Sequence, residues 1–279
     1  MPGRDEQRGR PWWPWVLGVL ALVVVLAVVR PWGDGTSPSP SPSVTSTGPV
    51  PTPTPTSVAP TTPAASPLAP PGADAVFDAA TIGTLLLTRG DVEDAVPAAE
   101  AGVTQGLAPG VTPWGLPTGG AVDPAECTAA VTVVAAPPVA HDALAWGNEE
   151  VQVAQDVVVL PDPAAARAAF AALVTTADQC PTFTVHDAAG GEVRWVTQPA
   201  IEGQGVLPAI VQEVRVQDGD SEPRARYVGH TLVGNAIVTW SATARDPGAR
   251  ERASEVLGAT DQLAGAVEER ALAAVRSLS

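Results

Sequence analysis

The chain has 279 residues and a formal net charge of −15, and its composition changes twice along its length. All 15 cationic side chains are arginine, 30 acidic side chains oppose them, and only 4% of the residues are aromatic. Because phosphate binding needs a clustered basic face, this composition excludes nucleic acid as an expected partner. About two hundred residues follow the two N-terminal parts, which is enough for one globular domain.

Residues 11–32 predict a transmembrane helix. The uncharged run from Pro11 to Val29 and the three residues after it form a helix of about 33 Å, which is long enough to cross a bilayer. Tryptophans mark both ends and arginines precede the run, which predicts that residues 1–10 are cytoplasmic. The alternative is a cleaved signal peptide, but a small-residue cleavage site would then follow, and here Arg30-Pro31-Trp32 follows. We therefore predict a single-pass anchor in the cell membrane.

Residues 33–73 predict a disordered linker. They contain repeated Ser-Pro and Thr-Pro steps, and Asp34 is their only charged residue. Proline fixes φ and donates no hydrogen bond, so such a segment favours extended polyproline II and forms no packed core. We expect this stalk to present residues 74–279 as an extracytoplasmic domain.

Asp-Pro steps predict three helix starts in this domain, at 123–124, 162–163 and 246–247. Aspartate caps free backbone amides, and proline suits the first helical position because its missing N–H would be unpaired there. Glu126 adds a capping-box partner to the first step.

A fourth helix is expected from Thr88, because Asp91 follows at capping-box spacing. Apolar residues at helical spacing extend the helix at Pro163 to about Gln179. They also predict a long final helix from Pro247 to about Leu278, with an interruption near Gly258 or Gly265.

Strand-like runs lie between these helices. They cover Val151–Leu160, Thr182–His186, Val193–Val196, Ile210–Val216, Ala225–Val233 and Ala236–Ala244. Gly234-Asn235 predicts a two-residue hairpin, so at least three consecutive strands from Ile210 should form an antiparallel meander. Helices and strands are segregated rather than alternating, which predicts an α+β fold with a twisted antiparallel sheet, packed helices and a closing C-terminal helix.

Cys127 and Cys180 are the only cysteines of the chain. In a domain outside the membrane we expect them to form a disulfide, closing a loop of about 54 residues. The alternative is a catalytic thiol, which would need a basic partner in a shared cleft.

Several features together resemble the PknH-like extracellular sensor domain of actinobacterial membrane proteins. They are the run Thr84-Leu85-Leu86-Leu87-Thr88 with Asp91-Val92, Cys127 in a short helix, Val157–Leu160 before an Ala-rich helix that runs into Cys180, a hairpin and a long final helix. The resemblance covers about residues 75–278. It implies a domain held outside the cell by one membrane span and a stalk, with a sheet and a cleft for an unidentified ligand.

Two features depart from the pattern of that family. Ala177 stands where the family often has tryptophan, three residues before the second cysteine, and a second cysteine pair is absent. The ten residues before the apolar segment leave no room for a kinase, so we expect a free-standing member.

Common catalytic signatures are missing from the sequence. It has no Gly-x-Ser-x-Gly elbow, no phosphate-binding Gly-x-x-x-x-Gly-Lys loop and no His-Glu-x-x-His helix, so we predict no catalytic residue, cofactor or metal site. His141, His186 and His230 would all have to converge to bind a metal, and isolated histidines are more common. The carboxylates of Glu149-Glu150 suit acid–base chemistry without being specific for it.

Two classes of function follow. The preferred one is a binding or sensor module for a cell-envelope ligand or another membrane protein, and the alternative is a cell-envelope enzyme of hydrolase type. The acidic surface favours a neutral or cationic partner over an anionic polymer. Trp114, in a Gly/Pro-rich loop at 107–120, is the aromatic residue most expected to be exposed and the weak candidate for ligand contact.

Overall fold

A computed structural model describes residues 69–203, 205–246 and 250–278. The strands are β1 (Thr104–Leu107), β2 (Ala121–Asp123), β3 (Ala140–Gly147), β4 (Val151–Val159), β5 (Thr182–His186), β6 (Glu192–Thr197), β7 (Ile201–Glu202), β8 (Ala209–Asp218), β9 (Arg224–Val233) and β10 (Ala236–Ala244). The α-helices are α1 (Arg89–Ala95), α2 (Ala129–Thr132), α3 (Pro163–Gln179), α4 (Arg250–Leu257) and α5 (Thr260–Ser277). Short 3-10 helices lie at Ile82–Leu85, Pro97–Ala99 and Ala125–Cys127.

The predicted cytoplasmic N-terminus, the predicted membrane segment 11–32 and most of the predicted stalk lie outside the described residues. Within the ranges that the structure describes, no helix has the length and hydropathy needed to span a bilayer.

All ten strands join one antiparallel sheet, in the order β1-β3-β4-β10-β9-β8-β6-β5-β2 with β7 added on β8. The predicted antiparallel sheet with a C-terminal helix is therefore confirmed. The predicted meander is β8, β9 and β10, with Gly234-Asn235 as the last turn. Gly234 has a φ of +56°, and a Cβ there would lie 2.1 Å from the carbonyl oxygen of Ala75, so only glycine fits this position.

One face of the sheet, the covered face, carries the larger core. Four parts of the chain pack on this face: residues 77–87, which we call the N-terminal segment, and helices α1, α4 and α5. Trp240 and Val153 of the sheet contact Leu85, Leu257 and Val267 of these parts. The capping box predicted at the start of α1 is confirmed, because Asp91 Oδ2 accepts from Thr88 N at 2.7 Å.

Two buried amide side chains join the N-terminal segment to the sheet. Oε1 of Gln155 accepts from Leu87 N at 2.7 Å, and its Nε2 donates to the carbonyl of Leu85 at 3.1 Å. Oδ1 of Asn235 accepts from Phe77 N at 2.7 Å, and its Nδ2 donates to the carbonyl of Phe77 at 3.0 Å. The N-terminal segment is not a strand of the sheet, so these amide side chains provide hydrogen bonds for its buried backbone N–H and C=O groups.

Helix α3 packs on the opposite face, at one end of the strands. It begins where predicted, with Asp162 Oδ1 accepting from Ala165 N at 2.8 Å. Its side chains Phe170 and Leu173 meet Ile237 of β10 in a second core.

The Asp123-Pro124 step does not start an α-helix as predicted. Asp123 ends β2 and pairs with Thr184 of β5, and Pro124 precedes a 3-10 helix that has no side-chain cap. Sheet pairing therefore outweighs the local capping preference at this position.

The final helix is interrupted at Gly258, one of the two predicted positions, where φ is +75°. Gly265 lies inside α5. At the third Asp-Pro step, Pro247 lies outside the described residues.

Strands β1, β2, β3 and the two-residue β7 are absent from the sequence prediction. The sequence of β3, Ala-His-Asp-Ala-Leu-Ala-Trp-Gly, has no β-branched residue and three alanines. Such a segment becomes a strand because β4 offers it a partner over its whole length, which is tertiary context rather than local propensity.

Candidate ligand-binding face

Within the described residues, the face that bears α3 is covered at one end only, and we call its uncovered part the open face. Along β10, alternate residues are buried under α4 and α5, whereas Thr239, Ser241 and Thr243 stay partly exposed. The same alternation continues on β4, where Ala154 and Asp156 are half-buried. Because successive side chains of a strand point to opposite faces, these residues line one surface.

A row of polar side chains crosses the open face beside α3. Asp156, Thr239 and His230 lie opposite one another on β4, β10 and β9. The Thr239 hydroxyl is 2.8 Å from Nδ1 of His230, and Asp156 Oδ1 is 3.2 Å from Nε2 of His141. Burial lowers the pKa of His230 to about 4, so its imidazole is neutral at neutral pH. The row thus has a partly exposed hydroxyl and carboxylate, with the buried imidazole of His230 beside the hydroxyl.

Trp195 on β6 borders this surface. Its ring stacks on Phe183 with centroids 5.5 Å apart, and the Arg226 guanidinium carbon lies 4.8 Å from the centroid of the Trp195 ring. The indole Nε1 atoms of Trp195 and, in the core on the covered face, of Trp240 are both buried without a hydrogen-bond partner in the described protein. Leaving a buried donor unpaired costs about 1–3 kcal/mol, and an acceptor on a ligand or a water molecule would remove that cost.

A cavity of about 10 Å³ lies between the C-terminal end of α3 and the sheet. Trp195, His230, Gln212 and Cys180 contribute to its lining. The volume suits about one water molecule. Nε2 of Gln212 donates to the carbonyl of Gln198 at 3.2 Å, which fixes this part of the wall.

Cys127 and Cys180 form the disulfide expected from the sequence, with their Cα atoms 5.7 Å apart. Both residues are buried, and the bond joins the 3-10 helix before α2 to the end of α3 that borders the cavity. Both sulfurs are therefore held in the bond, which corrects the alternative of a catalytic thiol. The bond holds the C-terminal end of α3 beside the open face.

A larger groove of about 600 Å³ lies on the covered face, between β8, β9 and α4. Glu213, Arg215, Tyr227 and Ala253 contribute to it. It is open to solvent and is separated from the open face by the sheet itself.

Trp114 is not the exposed platform expected from its loop. It is half-buried, packs against the core under α3, and its Nε1 donates to the carbonyl of Thr132 at 3.0 Å. The loop folds back onto the domain because the Trp114 ring buries apolar surface there and its N–H finds an acceptor, the carbonyl of Thr132 in α2.

The three histidines lie on different strands. His141 contacts Asp156, and Nδ1 of His186 is 3.5 Å from Glu192 Oε1. Their acidic sequence neighbours are not the partners, because adjacent residues of a strand point to opposite faces. Among the described residues, no group of three His, Cys, Asp or Glu side chains converges on a metal position.

The Glu149-Glu150 pair lies exposed in the turn between β3 and β4. Nothing in the described part of the chain joins these carboxylates to the polar row, so the structure gives them no shared site with His230 or Asp156.

Residues 77–262 match the family model described as the PknH-like extracellular domain. The chain belongs to this family. The crystal structure of the extracellular domain of PknH from Mycobacterium tuberculosis has a similar fold, with a TM-score of 0.54, 18% identity and coverage of 72% of this chain and 98% of that chain. An uncharacterized protein from Mycobacterium smegmatis, the Rv0999 ortholog, aligns with a TM-score of 0.35, 17% identity and coverage of 67% and 96%. No curated protein matches the chain.

The resemblance drawn from the cysteines and the run at Thr84–Thr88 is therefore confirmed, and the C-terminal domain is of the extracellular PknH-like type. Sequence reasoning missed the polar row and the Trp195–Arg226 stack. A signal for the first was present, because Thr239, Ser241 and Thr243 alternate with apolar residues in β10 and mark a face that is not fully buried.

Proposed function

We propose that the PknH-like domain recognises a cell-envelope ligand, or another membrane protein, on the open face, and catalyses no reaction. The observation that carries this proposal is the partial exposure of one face of a central sheet beside α3. Central strands usually bury both faces when helices pack on both sides of a sheet. Here Thr239, Ser241 and Thr243 of a central strand remain partly exposed. A ligand would complete the covering that α3 begins.

The open face has the features of a recognition surface. The disulfide and the pairing of β4, β10 and β9 hold it rigid, and Trp195 borders it with an unpaired indole N–H. Rigid, partly apolar surfaces with a few placed polar groups bind ligands at low entropic cost. Anchoring by residues 11–32, with the stalk at 33–73, belongs to the same proposal and would present this surface to the cell envelope.

The alternative is a cell-envelope enzyme of hydrolase type, and one observation favours it. The Thr239 hydroxyl lies 2.8 Å from Nδ1 of His230, which is the geometry of a nucleophile beside a base. Among the described residues, no carboxylate is bonded to His230 to orient it, and His230 is only 3% exposed. We therefore prefer binding to catalysis.

The test is a thermal-shift screen of the purified full chain against peptidoglycan fragments, lipid headgroups and envelope peptides. A ligand that binds only the folded protein raises the melting temperature by mass action. Ser241→Arg places a large side chain in the middle of the open face and should abolish the shift. Gly265→Arg is the matched control on α5, where a Cβ has no neighbour within 4 Å, and it should keep the shift.

Each variant is compared with its own melting temperature without ligand, so a change in stability does not enter the result. Because Ser241 is half-buried, the exposed open-face residue Gln152 provides a second variant, Gln152→Trp. Retention of the shift in both open-face variants would remove this surface from recognition. Turnover of a fragment that stops in His230→Gln, with folding intact, would establish the enzyme alternative.

A further inference from the structure

Three arginines lie together at the end of the open face that is far from α3, and we infer that they bind the anionic group of a ligand, of phosphate or carboxylate type. They are Arg224 and Arg226 of β9 and Arg245, the residue after β10. This inference deepens the proposed function, since it names the chemistry of one part of the same surface.

Arg226 is the centre of the cluster. Its Nε donates to the Thr243 hydroxyl at 2.7 Å, and its guanidinium carbon lies 4.8 Å from the centroid of the Trp195 ring. These two contacts fix the guanidinium plane. Among the described residues, its terminal nitrogens have no hydrogen-bond partner, and they are not among the buried unpaired atoms, so they still reach solvent. A pre-oriented guanidinium with free terminal donors is suited to a bidentate contact with a carboxylate or phosphate.

The other two arginines extend the cluster on both sides. Arg224 is on the same face of β9 as Arg226, two residues away, and it is half-buried. Arg245 follows Thr243 by two residues, and its Nη2 lies 3.3 Å from the position that a Cβ on Gly147 would take. Its guanidinium therefore lies beside β3, and the missing side chain of Gly147 leaves room for it.

No carboxylate neutralises this cluster. In the described ranges, none of the three arginines forms an ion pair, whereas Arg89 pairs with Glu93 at 2.6 Å and Arg270 pairs with Asp91.

The acidic side chains of the open face are held elsewhere. Asp156 contacts His141 and lies four residues along β4 from Gln152, the residue opposite Thr243, a separation of about 13 Å. Asp218, at the end of β8, is on this face but forms no ion pair with a described arginine. Glu149 and Glu150 lie in the β3–β4 turn at this end of the sheet, where Arg245 N donates to the carbonyl of Glu150 at 2.8 Å. Among the described residues, neither carboxylate forms an ion pair with Arg224, Arg226 or Arg245.

The pKa of Arg226 is consistent with a guanidinium that has no carboxylate beside it among the described residues. Burial, together with the nearby charge of Arg224, lowers the pKa of Arg226 to about 10, so it remains charged at neutral pH without a counter-ion. Uncompensated, partly buried charges are costly and are retained where they serve a site. The net charge of the domain opposes an extended anionic polymer, but a single anionic group responds to the neighbouring charges of Arg226 and Arg224. Arg245, with its guanidinium beside β3, adds a more distant positive charge.

The test uses isothermal titration calorimetry of the purified full chain with inorganic phosphate and, separately, with acetate. Sodium chloride keeps the ionic strength constant, because general ion screening would otherwise mimic binding. We expect saturable binding of at least one of the two anions. Arg226→Gln should weaken it at least tenfold, and Arg226→Lys, which keeps the charge but loses the fork, should weaken it several-fold. Arg245→Gln should weaken it by a smaller factor, because the Arg245 guanidinium lies beside β3 and acts from a greater distance.

Arg215→Gln is the matched control, because Arg215 is exposed, lies on the other face of β8 and forms no ion pair in the described part of the chain. It should leave the affinity unchanged. If Arg226→Gln does not fold, the exposed Arg245 and the Arg226→Lys variant decide the outcome. No saturable binding of either anion, or an equal loss in Arg215→Gln, would overturn the inference.

The two proposals fail in different ways. An envelope fragment whose thermal shift survives in Arg226→Gln and Arg245→Gln, but not in Ser241→Arg, supports the open face and contradicts the anion site. Phosphate or acetate binding that needs these arginines, without any fragment that needs Ser241, supports the anion site and contradicts the proposed function.

Discussion

Two glycines show how packing, rather than residue type, sets the effect of a substitution. Gly229 lies under the Trp240 ring, and a Cβ there would be 2.2 Å from Cε2 of that ring, whereas a Cβ on Gly265 of α5 has no neighbour within 4 Å. Gly229→Ala should lower the free energy of unfolding by about 1–3 kcal/mol through overpacking. Gly265→Ala should raise it by about 0.5–1 kcal/mol, because alanine loses less backbone entropy in a helix.

Urea denaturation of the full chain, followed by fluorescence, measures both changes. Equal effects of the two alanines, or a stabilising Gly229→Ala, would show that Trp240 does not pack on Gly229 as described.

His230 should make stability depend on pH. Burial lowers its pKa to about 4 in the folded protein, against about 6.5 in the unfolded chain. Below pH 6.5 the unfolded state therefore binds a proton that the folded state does not. The contribution of the neutral, folded histidine is complete above this value and is lost as the pH falls towards 4, by up to about 3 kcal/mol.

Denaturation of wild type and His230→Gln between pH 7 and pH 4.5 isolates this contribution. Wild type should lose more stability than His230→Gln over this range. Parallel curves for wild type and His230→Gln would place the His230 ring in solvent.

At the level of secondary-structure elements, the disulfide joins the 3-10 helix at Ala125–Cys127 to the C-terminal end of α3. The bond between Cys127 and Cys180 spans 53 residues, and in the chain-entropy model it contributes about 4 kcal/mol. Replacing both cysteines with serine should lower the free energy of unfolding by about this amount, and treating wild type with a reductant should have a similar effect. A loss below about 1 kcal/mol would mean that the reduced chain keeps these elements together without the bond.

The elements with their own local signals could be predicted from the sequence. Helix α3 has an aspartate cap, a proline start and an apolar stripe, and its observed bounds match the predicted ones. Strands β8, β9 and β10 have alternating β-branched residues and a Gly-Asn turn. Strand β3 and the short strands β1 and β2 lack such signals, since they pair only because neighbouring strands leave free edges.

The site was less predictable than the fold. The cysteine pair could be predicted because compartment and count are properties of the sequence. The stack of Arg226 on Trp195 could not, because it joins β9 to β6 across β8, and strand order cannot be derived from spacing alone. The exposure expected of Trp114 was wrong, since its loop composition does not show that the indole reaches Thr132, and its role in ligand contact stays a prediction.

At the scale of the whole molecule, we predict one membrane crossing with residues 33–279 outside. The apolar segment at 11–32 and the arginines before it carry this prediction. Protease added to intact cells without their wall should digest the domain and leave residues 1–10 protected. A tag at the N-terminus that is removed first, with the domain intact, would reverse the orientation.

If the open face binds a ligand beside Trp195, the indole N–H signal of Trp195 in the full chain reports the binding. The chain has eight tryptophans, and a Trp195→Phe spectrum assigns the signal of Trp195 Nε1. On addition of a fragment found in the thermal-shift screen, this signal should move, while those of Trp114 in its loop and Trp240 in the core should stay. Movement of the Trp114 or Trp240 signal with a fixed Trp195 signal would place the ligand elsewhere and contradict the account.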